Sequence, residues 1–171
     1  MIYADIEKYN TLFPSDPVDS FDRLAWDASR LMDNLTTGVD GIKKLKFSYP
    51  TDEDDAEAVA RCACNLVHLL YRLEVLAEQA EQATGYTKND DGTYQSNLVS
   101  SRSAGNESIS YANGSNLSKA TIMSAAASDP LTREKLLRDT CTASLTGVHD
   151  ANGVNLLYMG NYPEWAVKSD V

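Results

Sequence analysis

The sequence lacks the patterns that most directly indicate catalysis or membrane insertion. It contains neither GxGxxG nor GxxxxGK[ST], the glycine-rich loops that hold phosphates, and no GxSxG nucleophile turn. No apolar run approaches the roughly 18 residues that cross a bilayer. The sequence therefore gives no support to a nucleotide-binding enzyme, a serine hydrolase or a membrane-spanning protein, and we expect no enzymatic activity.

Positive charge is also scarce. The 171 residues carry 15 Lys and Arg against 25 Asp and Glu, which gives a net charge of −10. Static nucleic-acid binding and docking on an anionic membrane both need clustered cations, so we expect neither. The first residues lack the basic and apolar regions of a secretory signal, so we expect no such signal.

Cysteine and histidine are few. Three cysteines cannot form a closed set of disulfides, and this number fits a reducing compartment. Cys62 and Cys64 lie two positions apart on a predicted helix, where side chains diverge by about 200°, so they cannot hold one metal together. We expect Cys62, Cys64 and Cys141 to be core residues, His68 to be a structural histidine, and no metal or cofactor to be bound.

Apolar residues at steps of three and four predict the first helices. Residues 3–12 are a short candidate helix. The next helix is capped at Asp19 or Ser20 and ends near Gly38. Its apolar stripe consists of Phe21, Leu24, Ala25, Ala28, Leu31, Met32 and Leu35. Trp26 lies off this stripe, so we expect it to face a second partner.

The longest predicted helix is capped at Thr51 or Asp52 and ended by Gly85. Roughly 33 residues at ~1.5 Å rise make a rod of about 50 Å, which exceeds the diameter of around 40 Å of a compact globule of this size. We therefore expect an elongated molecule, or neighbours that cover the ends of the rod. Residues 39–50, just before it, are predicted to be a loop with a weak strand-like alternation of Ile42, Leu45 and Phe47.

A nearly uncharged stretch rich in Ser, Gly and Asn follows the long helix. Within it, residues 94–103 and 107–111 resemble two strands around a turn, with Ile109 and Tyr111 on one face. They predict a Ser-rich β-hairpin arm over about residues 94–112. Because an isolated hairpin is marginal in water, the arm needs a surface to lean on.

The rest of the chain predicts another helix over residues 116–127 and a restart that continues to Gly147, with Asp129 as its cap and Pro130 at the first helical position. An apolar tail follows over about residues 150–171. Free apolar tails are uncommon unless they dock. Two arrangements remain open: the tail packs on the chain's own helices, or it inserts into another protein, for example as an added strand.

The fold class predicted from these patterns is mainly α. We expect a single domain over residues 1–171, built as an elongated bundle of three to four helices. A Ser-rich β-hairpin arm and an extended C-terminal tail complete the predicted architecture.

Four segments carry a resemblance to a known family. Residues 3–9 (YADIEKY), 21–36 (FDRLAWDASRLMDNLT), 99–111 (VSSRSAGNESISY) and 156–160 (LLYMG) are similar, in order and approximate spacing, to motifs of the tailed-bacteriophage head–tail connector family, the adaptor proteins of the phage neck. The corresponding family patterns are YxDYxFY, FxRLAxxASxxLDxLT, VxSESxGxYSVSY and GLLYRG. The second and third segments together are the most specific part of this resemblance.

The resemblance implies a structural virion protein with no enzymatic activity. Family members form a ring of about twelve copies that joins the portal vertex of the capsid to the stopper or tail, with double-stranded DNA passing through the lumen. The implied location is the virion neck, at the head–tail interface, and the host cytoplasm during assembly. The implied partners are further copies of the chain, the portal protein and a stopper or tail protein, with no membrane.

The resemblance also implies roles for individual residues. The docking tail for the portal corresponds here to Val154, Leu156, Leu157, Tyr158, Met159, Tyr162 and Trp165. The expected ring and partner contacts are Trp26, Ile109 and Tyr111. Two other functions remain as alternatives: another neck component, such as a stopper or tail-completion protein, or a small cytoplasmic helical regulator.

Overall fold

The computed structural model describes residues 1–83, 86–88, 94–96, 101–104, 107–110 and 122–167. The described chain is mainly helical, which confirms the predicted fold class. It divides into two compact units, one of residues 1–71 with 135–171 and one of residues 72–134. The elongated bundle and the organisation of residues 1–171 as one domain stay predictions.

The helices and strands have the following bounds. The helices are α1 (Ile6–Leu12), α2 (Phe21–Leu35), α3 (Lys44–Phe47), α4 (Glu53–Ala83), α5 (Ile122–Ser128), α6 (Pro130–Leu145) and α7 (Glu164–Val167). The strands are β1 (Tyr86–Lys88), β2 (Tyr94–Ser96), β3 (Ser101–Ala104) and β4 (Glu107–Ser110), and β1 pairs antiparallel with β2 as β3 does with β4.

Helix α2 buries the predicted apolar stripe. Phe21, Leu24, Ala25, Ala28 and Met32 are buried, and Leu31 and Leu35 pack at the edge of the same core. The core of this first unit also receives Tyr9 of α1, the apolar face of α4, and Leu137, Cys141 and Leu145 of α6. The 3.6-residue period of apolar residues therefore predicts the position of α2 correctly, because one face of this helix is buried in the core and the other is exposed.

The N-terminal segment lies against α2 through specific polar contacts. The Tyr3 amide donates a hydrogen bond to Ser29 Oγ at 3.1 Å, and the Tyr3 hydroxyl donates to Asp33 Oδ1 at 2.6 Å. Tyr9 is fully buried, and its hydroxyl donates to the carbonyl of Asp16 at 3.1 Å. Both tyrosines of the YADIEKY segment are therefore structural residues of the first unit.

Carboxylates cap two helices where the sequence predicts caps. Asp52 Oδ1 accepts hydrogen bonds from the amides of Asp54 and Asp55 at 3.0 and 3.2 Å, so it satisfies free N–H groups at the start of α4. Asp129 Oδ2 accepts from the amide of Thr132 at 2.9 Å, and Pro130 occupies the first helical position of α6. Both predicted caps are confirmed.

Two predicted element boundaries are wrong. The first helix begins at Ile6 rather than at residue 3, because the Asp5 side chain accepts from the amides of Glu7 and Lys8 as an N-cap. Residues 39–50 show no strand-like face, because a short helix, α3, places Leu45 in the core and leaves Phe47 exposed. The predicted start at residue 116 lies outside the described residues, and the helix described there is α5.

The predicted hairpin arm is described only in part. In the β3–β4 pair Arg102 lies opposite Ile109, and Ser101 opposite Ser110. The side chain of Ile109 is outside the described part of the chain, and Tyr111 lies outside the described residues altogether. The Ser-rich arm as a whole, and its contacts, therefore stay predictions.

Candidate docking surface

The tail leaves α6 through a tight turn and folds back onto the first unit. Gly147 has φ +82°, a left-handed conformation that favours glycine and ends the helix. The His149 amide then donates to Asp55 Oδ2 at 3.0 Å, which attaches the tail to the start of α4. The Leu156 amide donates to the carbonyl of Val148 at 3.0 Å, and the Leu156 side chain is fully buried.

A turn organised by Asp150 gives the tail its shape. Asp150 Oδ1 accepts hydrogen bonds from the amides of Asn152 and Val154, both at 2.9 Å. Gly153, at φ +74°, permits the reversal between them. The predicted extended tail is therefore built from turns, and it ends in the described part of the chain with the short helix α7.

A buried polar cluster pins this turn to residues 36–48. The Tyr162 hydroxyl donates a hydrogen bond to Asp150 Oδ2, and Asn152 Nδ2 donates to the Tyr162 hydroxyl at 3.1 Å and to Ser48 Oγ at 3.2 Å. The Tyr162 amide donates to Asp40 Oδ2. Burial, reinforced by the hydrogen bond to Asp150, raises the pKa of the Tyr162 hydroxyl, so it is a donor at neutral pH.

Lys44 is the charge partner of this cluster. Its side chain is fully buried, and Nζ donates to the Thr36 carbonyl at 3.3 Å. Burial lowers the pKa of the Lys44 ammonium, while the carboxylates of Asp40 and Asp150 act in the opposite direction. The contact of this buried ammonium with the Thr36 carbonyl lies next to the place where the Tyr162 amide is bound by Asp40, so Lys44 is packed between residues 36–40 and the tail.

Apolar contacts complete the attachment. Val154, Tyr162 and Ala166 form a small buried cluster, against which Ile42 packs. The Phe47 ring meets the Tyr162 ring edge-on, with centroids 5.2 Å apart. A Cβ on Gly38 would lie 2.6 Å from the Gly160 carbonyl oxygen, so glycine at position 38 allows the two backbones to approach closely.

This attachment leaves large apolar side chains in solvent. Tyr158 is 50% exposed, Met159 59% and Trp165 65%, although all three lie between or beside anchored residues. Val39, 75% exposed, is held next to Met159 by a hydrogen bond from its amide to the Met159 carbonyl at 3.1 Å. We call the exposed side chains of Val39, Phe47, Tyr158, Met159 and Trp165 the tail surface.

The structure separates the seven tail residues predicted from the sequence. Val154, Leu156 and Tyr162 are buried in the chain's own fold, and Leu157 packs partly against the main core. Tyr158, Met159 and Trp165 remain accessible to another protein. The first arrangement left open by the sequence, packing on the chain's own helices, therefore describes the buried part of the tail, while insertion of the rest into another protein stays a prediction.

Trp26 lies on the outer face of α2. Half of its surface is exposed, and the Arg30 guanidinium carbon lies 4.7 Å from the centre of its ring. This cation–π contact covers part of the indole, and half of the residue stays accessible. Trp26 therefore offers a large apolar contact that the chain's own core does not use.

Other chemically active residues have structural surroundings. The His68 ring stacks on Phe13 with centroids 4.0 Å apart, and its Nδ1 lies 3.3 Å from the Tyr9 hydroxyl. Within the described ranges no group of three or more His, Cys, Asp or Glu side chains is placed to hold a metal ion. None of the described helices has the length and apolar character needed to span a bilayer.

No protein-family model, curated protein or solved structure matches this chain. The connector resemblance consequently rests on the four sequence segments alone.

Sequence reasoning missed three residues of this region. Val39 and Phe47 belong to the tail surface, and Lys44 lies beneath it, with Nζ 6.0 Å from the centre of the Tyr158 ring. A weak signal was present, because Val39 and Phe47 are isolated apolar residues in a segment that also carries three lysines. That signal alone does not show that the segment meets the tail.

Proposed function

We propose that this protein is a neck adaptor of a tailed bacteriophage, a structural protein that joins the portal vertex of the capsid to the stopper or tail. Its location is the virion neck, after assembly in the host cytoplasm. It acts without catalysis, cofactor or membrane, and its partners are the portal protein, a stopper or tail protein, and further copies of itself in a ring of about twelve.

The observation that carries the proposal is the tail surface. Tyr158, Met159 and Trp165 are exposed on a segment whose neighbours Leu156 and Tyr162 are buried. Because the backbone that carries these side chains is already held in place, binding does not have to order it, which suits a permanent protein contact. Together with the LLYMG segment, which resembles the portal-anchoring end of the family, this supports docking of the tail on the portal.

Trp26 supports the second contact, between neighbouring copies. A closed ring needs two different faces on each protomer, because each copy contacts the next in a head-to-tail manner. The exposed indole on α2 supplies an apolar centre for one of these faces. We assign the other partner contacts to the Ser-rich hairpin arm over about residues 94–112, with Ile109 and Tyr111 on its contacting side. We also propose that the helices form an elongated bundle.

The charge balance suits a passage for DNA. With a net charge of −10 the chain repels the phosphate backbone, so double-stranded DNA can pass without sticking. Sequence-specific DNA binding is not part of the proposed role.

The direct test is binding of the purified protein to portal protein from the phage that encodes it. Sedimentation of the mixture is expected to show a complex whose mass corresponds to about one adaptor copy for each portal subunit, as a ring of adaptors on the portal requires. Binding to a tail protein but not to the portal would instead identify a stopper or tail-completion protein. Failure to bind any neck component would contradict both roles.

A further inference from the structure

Two cysteines from distant parts of the chain meet inside the first unit. Cys62 on α4 and Cys141 on α6 are 79 positions apart, yet their Sγ atoms lie 3.8 Å from each other. Both side chains are fully buried, and all three cysteines of the chain are free thiols. The contact therefore joins helices α4 and α6 through a pair of sulfur atoms.

Cys64, the third cysteine, is arranged differently. It is also buried, but its Sγ contacts the Asp5 carbonyl oxygen at 3.8 Å. Because Cys64 follows Cys62 by two positions on a helix, the two side chains diverge by about 200°. The geometry thus selects one pair among the three cysteines.

We propose that Cys62 and Cys141 are a latent disulfide, which closes on exposure to a peroxide-class oxidant and links α4 to α6. A disulfide needs an S–S separation near 2.05 Å, so the two sulfurs, now 3.8 Å apart, must approach by ~1.8 Å through rotation about the two Cα–Cβ bonds. In the overall reaction each thiol loses one proton and one electron, the S–S bond forms, the O–O bond of hydrogen peroxide breaks, and two molecules of water leave.

The oxidation is slow because the pair is buried. The hydrogen bond with Cys141 and burial raise the pKa of the Cys62 thiol, whereas the hydrogen bond from Cys62 lowers the pKa of the Cys141 thiol. Cys141 is therefore the sulfur that attacks the oxidant, and burial of both side chains limits the access of the oxidant to it. In a reducing compartment the two thiols therefore persist. After transfer to an oxidising medium the bond forms gradually and closes a loop that contains all of residues 72–134.

The consequence is a more heat-resistant chain. A cross-link between residues 79 apart restricts the unfolded chain much more than the folded one, in which the sulfurs are already in contact. The oxidised protein is expected to melt about 5–15 °C higher than the reduced protein.

The test is oxidation of the purified, reduced protein by hydrogen peroxide, followed by intact mass, peptide mapping and thermal melting. The expected product is a monomer lighter by about 2 Da, with one cross-linked peptide pair that contains Cys62 and Cys141. Cys64→Ser is the matched control and is expected to oxidise like the wild type, whereas Cys141→Ser is expected to form no internal cross-link.

Three results would overturn the proposal. The first is a folded wild-type protein that keeps three titratable thiols throughout an oxidation that converts a small dithiol completely. The second is a cross-link that involves Cys64 or a second chain instead. The third is an oxidised protein, correctly linked, that melts at or below the temperature of the reduced form. Since all three use the wild-type chain, a variant that fails to fold does not affect them.

Discussion

The Tyr162 hydroxyl donates a hydrogen bond to the buried carboxylate of Asp150, twelve positions earlier in the chain. The same carboxylate holds the turn at residues 150–154 through two backbone amides. The Asp150 side chain thereby connects the turn at residues 150–154 to Tyr162, which attaches the tail to residues 36–48.

Tyr162→Phe tests this link. We expect the free energy of unfolding to fall by about 1–3 kcal/mol, because the buried Asp150 carboxylate and the Asn152 amide both lose a partner while the ring still packs. Chemical denaturation measures the loss, and hydrogen exchange should show faster exchange at the Asn152 and Val154 amides. Tyr158→Phe, at an exposed ring, is the control and should change stability by less than about 0.5 kcal/mol. Equal effects of the two variants would contradict the role given to Tyr162.

Lys44→Met tests the buried charge. Removal of the ammonium leaves the buried Thr36 carbonyl without this donor and removes a positive charge near Asp40 and Asp150, so we expect a loss of about 1–3 kcal/mol. Lys46→Met is the matched control, because Lys46 lies two positions away on the same short helix and is exposed. Denaturant unfolding compares the two. A Lys44→Met protein as stable as Lys46→Met would show that the charge does not hold the tail.

The double variant Tyr158→Ser/Met159→Ser tests the tail surface. We expect portal binding to weaken at least about tenfold, while the free energy of unfolding falls by less than about 1 kcal/mol, because at least half of each side chain is exposed and their neighbours carry the attachment. Leu131→Ser is the control, since Leu131 is exposed but belongs to α6 outside the tail. Deletion of residues 154–171 is a poorer test, because it also removes the buried Leu156 from the core. Full binding by the double variant would contradict portal docking through this surface.

Trp26→Ala separates assembly from folding. The ring is half exposed, so the monomer should lose less than about 1 kcal/mol of stability, whereas ring formation on the portal should be strongly reduced. Trp26→Phe keeps an aromatic contact and is expected to assemble better than the alanine variant. Electron microscopy of portal mixtures and melting of the free protein give the two readouts. Unchanged ring formation by Trp26→Ala would rule out this face as the contact.

Tyr9 gives a prediction for alkaline pH. Burial raises the pKa of its hydroxyl to about 12, against about 10 in an unfolded chain. Between these values the folded state keeps a proton that the unfolded state loses, so this contribution is complete below pH 10 and disappears as the pH rises to 12. The slope is up to about 1.4 kcal/mol per pH unit.

The measurement is urea unfolding of the wild type and Tyr9→Phe from pH 8 to pH 11.5. The difference between the two proteins should be constant up to about pH 10 and then shrink, because other titrating groups contribute equally to both. A difference that stays constant over the whole range would contradict a buried, protonated Tyr9.

The parts of the fold that could be predicted are those determined by neighbouring residues. The stripe of α2 and the caps Asp52 and Asp129 depend on sequence spacings of two to four residues, and the structure contains them as expected. The burial of Lys44 against the Thr36 carbonyl and the tail could not be predicted in this way, because lysine is seldom buried and the tail lies more than a hundred positions away. Burial of Lys44 is a consequence of tertiary packing.

The candidate site could be predicted by segment but not by residue. Hydrophobicity identified the tail, yet Leu156 and Met159 look alike in sequence although one is fully buried and the other exposed. Their difference comes from the turn at Asp150 and the close approach of Gly38 to Gly160, which place alternate parts of the tail inward and outward. The contact between Cys62 and Cys141 could not be predicted either, because it depends on the tertiary packing of α4 against α6 and no short sequence spacing links these helices.

The central claim is that this chain is a stoichiometric part of the phage neck. It is tested most directly by quantitative peptide counting in purified particles of the phage that encodes it. The account predicts about twelve copies per particle, in a constant ratio to the portal protein. Particles that contain the portal protein but none of this chain would contradict it.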